Sequence, residues 1–459
     1  MPPFRNTVVP ALLLAATIVA SVVADLGGMA MLRWVAAACL ATYFVLRWAA
    51  MSTIARRLLG FVIVLAAAVL ASADNPGALA LDALRPGLFL ASFIASVNIL
   101  RSAARQSPLL RKCGGHILGQ PPARRYAALS LGTSLAGVIL LFSVMNLFGT
   151  MVVQGARTAG ATQADTRRGI LAVVRGLTTT AAISPLAVPY AGISAIYVDM
   201  QWGGVFPFLL AGVVLMWVLG WLVDAAEPAP GMAVSGGNLG PWTVHLKLAG
   251  LIAFLVGAVI CVKWLAGVRM AYGVIFSVPV FALGWLVFLR RRAGPVVATF
   301  LALRRVAAGW ADDRNEITIL STAGFAGGLI AHLMPSGGLG HVLAAMVFPP
   351  ALIPAAIILA FILAGQLAVQ PVMVFVVVAA AFPDAAAAGL PPEILFATYF
   401  FAWSLMSITS PFNIASLLPA RIAGISSFTL CWRWNALYGV AATVLVAVLM
   451  GVFALIFET

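Results

Sequence analysis

Apolar residues run along this chain in long blocks, separated by short polar or basic stretches. A helix needs about 20 apolar residues to cross a bilayer. By that measure the pattern predicts spans near 8–24, 30–50, 57–73, 86–100, 127–154, 203–224, 244–262, 269–289, 316–334, 350–367, 370–383, 393–408 and 432–457. Two further apolar stretches, near 177–200 and 407–428, are broken by Ser, Thr, Pro and Gly and do not read as plain spans. The segment 370–383 is short for a crossing and opens on Gln370-Pro371. The predicted fold class is an all-α polytopic membrane protein.

Composition agrees with the pattern and narrows it. Of 459 residues, 63% are hydrophobic and 9% charged, against about 25% charged in an ordinary soluble domain. Too little polar surface remains to cover a soluble globule. The net charge of +14 would suggest nucleic acid as a partner of a soluble protein. In a membrane protein it reads as basic cytoplasmic loops, and no nucleic-acid partner is expected. Cys39, Cys113, Cys261 and Cys431 lie far apart, and the four histidines show no metal-ligand spacing. Neither a metal site nor a disulfide framework is expected. The first apolar run reads as an uncleaved helix rather than a signal peptide.

Two loops are strongly basic, Arg101–Arg125 and Arg290–Arg314, which places both in the cytoplasm. Alternation then puts the N-terminus inside and the C-terminus outside. One loop disagrees: 157–175 carries Arg157, Arg167, Arg168 and Arg175 yet falls outside by parity. Either that loop breaks the rule, or 127–154 is not a single crossing. The expected location is the bacterial cytoplasmic (inner) membrane.

The two broken stretches share a plan. One holds Thr178, Thr179 and Thr180, then Ser184-Pro185, then Ala191-Gly-Ile-Ser194. The other holds Ser407, Thr409, Ser410-Pro411 and Asn413, then Ala423-Gly-Ile-Ser426. A long final span follows each. This predicts two repeats, 1–225 and 246–459, joined by a loop at 226–245, with hairpins near 177–200 and 407–428. Parity opens the hairpins to opposite sides, as an inverted repeat requires. Paired interrupted segments point to a transporter's binding site, because backbone freed at membrane depth must be satisfied by protein, water or ligand.

The stretch Thr409-Ser410-Pro411-Phe412-Asn413-Ile414-Ala415-Ser416 resembles the hairpin-tip signatures of the ion transporter superfamily. That group holds divalent-anion/sodium symporters, citrate and arsenite transporters and TRAP large subunits. The resemblance covers about forty residues plus the overall plan. Here the order is Ser-Pro-x-Asn, and the first hairpin has no Asn. The resemblance implies two inverted repeats with re-entrant hairpins, a scaffold and a moving transport domain. It also implies ion-coupled symport of small anions by an elevator motion, and a homodimer.

The candidate substrate- and ion-binding residues are Asn413, Ser410, Pro411, Thr409, Ser407, Ser184, Pro185 and Thr180. An Asn amide donates to an anion and its oxygen accepts a cation; capping of a half-helix is the competing role. All thirteen acids fall in predicted loops or at span ends, whereas cation pathways usually carry a buried carboxylate. The expected substrate is therefore a small organic acid or oxyanion, with Na⁺ or H⁺ as the coupling ion. No cofactor and no catalytic residues are expected. A membrane enzyme would have to use Asp312-Asp313-Arg-Asn-Glu316, the one compact acidic group; a channel or partner subunit is the other alternative. Gln366 and Gln370 read as interhelical hydrogen-bonding amides, and Met334–His341 reads as a Gly-rich break.

Overall fold

The structure is a computed structural model that describes residues 5–158, 160, 162–227, 242–333, 349–382, 385 and 389–457. Residues 228–241 of the expected connecting loop and the Gly-rich stretch 334–341 lie outside these. Every regular element among the described residues is helical, and ten helices are long and apolar enough to cross a membrane. The chain is a multi-pass helical membrane protein.

Four helices, α1 (Arg5–Leu26), α2 (Leu32–Arg47), α3 (Thr53–Ala71) and α4 (Pro76–Ala104), run up and down from the N-terminus. Local chemistry sets their ends. Ser52 accepts the Ala55 amide and Asn75 the Ala78 amide, satisfying donors that a helix start leaves open. Helix α4 is buried without a break from Gly87 to Ala104 and crosses α14 (Arg314–Leu333) at backbone contact distance. A β-carbon on Gly87 would stand 2.7 Å from the Ser321 carbonyl, and one on Gly328 would stand 2.5 Å from Ala83 Cα. Only small residues permit such a crossing. Farther along, Arg101 and Glu316 close a bidentate ion pair at 2.6 and 2.8 Å between the same two helices.

The conflict over 157–175 resolves at 122–158. After α5 (Pro108–Leu118), helix α6 (Pro122–Leu140) stops at Leu141, whose φ is +47°. A π-helical turn (Met145–Gly149) and α7 (Thr150–Thr158) then lead back. Arg125 and Leu129 at the start of α6 line one small cavity with Gly155 and Ala156 of α7 and with Asp165 of α8 (Gln163–Ile183). The two ends of the segment therefore lie together, and 127–154 doubles back as a helical hairpin instead of running through as one span. That returns Arg157, Arg167 and Arg168 to the basic face. Arg175 is no loop residue, since it sits inside α8 and is 3% exposed.

The second half holds a matching element. Helices α15 (Ile353–Gln366) and α16 (Pro371–Ala381) flank Ala368, whose φ is +60°. Among the described residues, Leu141 and Ala368 are the two non-glycine residues with positive φ. Pro350 before α15 lies against Gly389, while Tyr197 holds the carbonyl of Phe382 just after α16. Both limbs thus open on the face opposite the basic one. Segments 350–367 and 370–383 are the two limbs of this turn-back and not separate spans.

The stretches expected to double back, 177–200 and 407–428, run on in one direction. Helix α8 breaks at Ser184 and continues as α9 (Val188–Ile196); α17 (Pro392–Thr409) breaks at Ser410 and continues as α18 (Ile414–Ala423). Each pair is a single interrupted crossing, more than four-fifths buried. A long apolar helix follows each, α10 (Trp202–Ala225) and α19 (Ala436–Ile456). Between them lie α11 (Thr243–Ala266), α12 (Met270–Leu289) and the half-buried α13 (Pro295–Asp312). The Ala-Gly-Ile-Ser parallel does not survive: in the first half it lies within α9, and in the second it spans the Gly424 cap that ends α18.

Candidate functional site: two helix breaks and a hairpin tip

The two breaks are built alike from the backbone up. Proline has no amide hydrogen and disfavours helical angles in the residue before it. Ser184 accordingly takes φ −85°, ψ 127°, and Ser410 takes φ −83°, ψ 123°. Each serine amide still reaches back four residues, Ser184 to the Thr180 carbonyl and Ser410 to the Met406 carbonyl. Each hydroxyl then accepts the amide two residues on, Leu186 at 3.2 Å and Phe412 at 3.3 Å. Pro185 and Pro411 fill the turns. Ala187 and Asn413 occupy the matching positions ahead of the second half-helices, at φ −82° in both.

The breaks differ in what covers them. Asn413 Oδ1 accepts the Ala415 amide at 2.9 Å and caps α18, whereas the Ala187 methyl caps nothing. Ser410 Oγ donates to the Gly365 carbonyl at 2.6 Å. Gln366 Nε2 donates to the Thr409 carbonyl, and Gln366 Oε1 accepts from Trp432 Nε1, so Gln366 does bond between helices. The second break is therefore tied to the tip of the α15–α16 turn-back. At the first break, Thr180 Oγ1 donates to the Ser134 carbonyl of α6 at 2.9 Å, and Ser134 bonds Thr179. Thr409 and Ser407 return their hydroxyls to their own helix, to Leu405 and Trp403. Ser407 also receives Ser416 Oγ on its carbonyl, which crosses the break.

These elements converge. Leu141 and Phe142 of the hairpin tip, Leu177, Thr178 and Ala181 of α8, Ala187, Val188 and Pro189 at the first break, and Trp403, Ser407 and Ala415 around the second line one cavity of about 40 Å³. That volume holds a water or a small ion; a larger ligand requires movement of the tip. Of the sequence-derived candidates, Ser407 lines the cavity, with Thr178 beside it. Ser184, Pro185, Ser410, Pro411 and Asn413 shape the breaks that bound it, while Thr180 and Thr409 point into helix contacts. The polarity is balanced: the C-terminal, negative ends of α8 and α17 face the N-terminal, positive ends of α9 and α18.

Leu141, Phe142 and Trp403 gave no sequence signal, since a tip without Gly or Pro reads as ordinary span. A far larger groove, about 650 Å³ along α1, α12 and α13, has Arg304 as its one charged lining residue. Its apolar walls suit an acyl chain better than a polar solute.

Two solved structures match this chain over most of its length. The YdaH transporter of Alcanivorax borkumensis, described as having an unusual topology, matches with a TM-score of 0.57 at 15% identity, over 80% of this chain and 85% of that one. MtrF of Neisseria gonorrhoeae, described among antimetabolite efflux pumps, matches at TM-score 0.42 and 14% identity, over 86% of this chain and 84% of that one. No family model and no curated protein matches the sequence. At these identities the likeness to YdaH is one of fold: the chain shares its helical membrane architecture with a transporter.

Proposed function

We propose that the protein is a secondary active transporter of a small anion, an organic acid or oxyanion, coupled to Na⁺ or H⁺. The observation that carries this reading is the convergence of both Ser-Pro breaks and a hairpin tip on one cavity. Interrupted helices at corresponding positions are where transporters bind substrate. The matched breaks 226 residues apart, entered from opposite faces, support two inverted repeats, 1–225 and 246–459. The fold shared with the YdaH transporter supports transport in preference to catalysis.

In this reading the two turn-backs and the two interrupted helices form a moving transport domain, and the glycine-tight α4–α14 pair belongs to the scaffold. Half-helix N-termini and the Asn413 amide hold the anion. Break carbonyls and Ser hydroxyls hold the coupling cation. Alternating access is an elevator motion of a homodimer in the bacterial inner membrane.

Uptake into proteoliposomes tests the reading. Asn413→Ala and Ser184→Ala each reduce uptake while folded protein is retained, and replacement of Na⁺ by K⁺ or choline identifies the coupling ion. Unchanged uptake in both variants would remove the two-break site.

A further inference from the structure

Arg175 is a buried cation whose partners are all neutral. Its Nε donates to Asn435 Oδ1 at 3.0 Å, and its Nη1 to the Tyr126 hydroxyl at 3.3 Å and the Gly220 carbonyl at 3.4 Å. Its guanidinium carbon lies 4.4 Å from the Tyr438 ring centre and 5.7 Å from that of Tyr126. Arg125, next to Tyr126, is half-buried at the rim and donates to the Gln120 carbonyl, whereas three other arginines have acidic partners. Arg168 pairs with Asp224 and Arg167 with Glu227 on the basic face, and Arg101 pairs with Glu316. Asp224, one turn beyond Gly220, is thus already neutralised. An arginine cannot shed its proton, and a buried charge without a counter-charge is costly. Asn435 is 2% exposed and uses its oxygen alone, its Nδ2 having no partner. An aspartate would fit there and cancel the charge; the chain has the amide.

The position of this charge matters. Thr178, on the cavity wall, is three residues farther along α8, less than one helical turn. Ser184 is nine residues on, about 13 Å by helical rise. The four half-helix ends around the cavity oppose one another, two negative and two positive. Their sum leaves the sign of the site undecided, and the cavity wall itself contains no Lys or Arg.

We propose that Arg175 sets that sign: it is the positioning charge that makes the cavity prefer anions, acting through the field across α8 and not by contact. This rests on the anion-transport reading above. For any separation on the order of 10 Å and an effective dielectric near 20, a unit charge changes the binding of a monovalent ion by about tenfold.

The test is binding by thermal shift and calorimetry with chloride, acetate, phosphate, sulfate, succinate and citrate. The variants are Asn435→Asp, Arg175→Gln and Arg175→Lys in the full-length protein. Asn435→Asp is the decisive one, because it keeps the arginine and removes only its net charge. The expected result is a higher melting temperature with affinity about tenfold weaker per ligand charge. Arg175→Gln weakens binding by a similar factor, and Arg175→Lys recovers at least half of that loss on a logarithmic scale. A purely structural arginine predicts that Asn435→Asp stabilises the protein and binds as wild type does; that outcome overturns the proposal while leaving the anion site standing. If none of the six anions shifts the wild-type protein, the anion reading falls and this inference with it. If Arg175→Gln does not fold, Asn435→Asp still decides.

Discussion

Asn413 stands in the second break where Ala187 stands in the first, at the same φ of −82° and one residue ahead of a half-helix in both. Only Asn413 supplies a side-chain cap, to Ala415. Loss of such a cap costs about 1 kcal/mol. Asn413→Asp keeps the accepting oxygen but adds a negative charge beside the cavity. We expect its melting temperature to stay within a few degrees of wild type while anion uptake falls at least tenfold. A parallel loss of stability and uptake would assign Asn413 to capping alone.

The turn-back at 122–158 leaves both of its ends on one face. Single cysteines placed at Gln120, Gly160 and Arg292 in a background without the native cysteines react with a membrane-impermeant thiol reagent from one face. A cysteine at Gln201 reacts from the other. Labelling of Gln120 and Gly160 from opposite faces would make the segment a true crossing.

Gly176 fixes how the hairpin docks. A β-carbon there would lie 2.4 Å from the Ser130 carbonyl and 2.9 Å from Thr133 Cβ. Backbone cannot yield as a side chain can, so Gly176→Ala forces α6 and α8 apart, at about 1–3 kcal/mol. A clear drop in melting temperature is expected, with uptake reduced in the surviving folded fraction. Gly155→Ala, where a β-carbon meets open space, is the matched control.

Arg101 and Glu316 are mostly buried, their side chains 5% and 22% exposed. Removing one partner of a buried pair leaves an uncompensated charge and costs about 3–5 kcal/mol; the partial exposure of Glu316 places Glu316→Gln near the lower figure. The double variant Arg101→Met/Glu316→Gln recovers part of the loss, and a double-mutant cycle of unfolding measures the coupling. Additive effects would mean that the pair contributes no more than its separate residues.

Asp313, between α13 and α14, is pushed up from 3.8 to about 6, chiefly by burial and against the pull of Arg101. A carboxyl whose folded value exceeds its unfolded value binds more protons when folded, so stability falls as pH rises from about 4 to 6 and is level above that. Asp313→Asn removes this penalty. Its melting temperature exceeds that of wild type at pH 7.5, and the difference shrinks as pH falls toward 4. Uptake is largely kept, whereas an enzyme using this acidic group would lose its activity.

What the sequence disclosed depended on chemistry that leaves a mark. Ser184-Pro185 and Ser410-Pro411 were legible because each proline stands among hydroxyl residues at matched places in the two halves; proline alone does not mark a break, since Pro86, Pro207 and Pro279 lie inside continuous helices. The direction of the chain past each break was not legible, since a kink and a reversal use the same residues. The hairpin at Leu141 was hidden because its tip is apolar and its turn rests on tertiary packing. The basic residues of 157–175 carried the only trace of it, as a violation of charge parity. Arg175 was misplaced for the related reason that four arginines in one window suggest a loop, although the last of them is buried among tyrosines.

The α4–α14 crossing also bears on how the chain is made. Gly87 finds its partner Ser321 about half a chain length later. At ordinary translation speeds that is a wait on the order of tens of seconds. Throughout it, a deeply grooved helix with a buried arginine sits in the bilayer without the surface it was shaped to meet. Early spans of this protein must be inserted well before they are packed, and the nascent chain is most exposed to wrong helix partners, and to membrane quality control, in that interval.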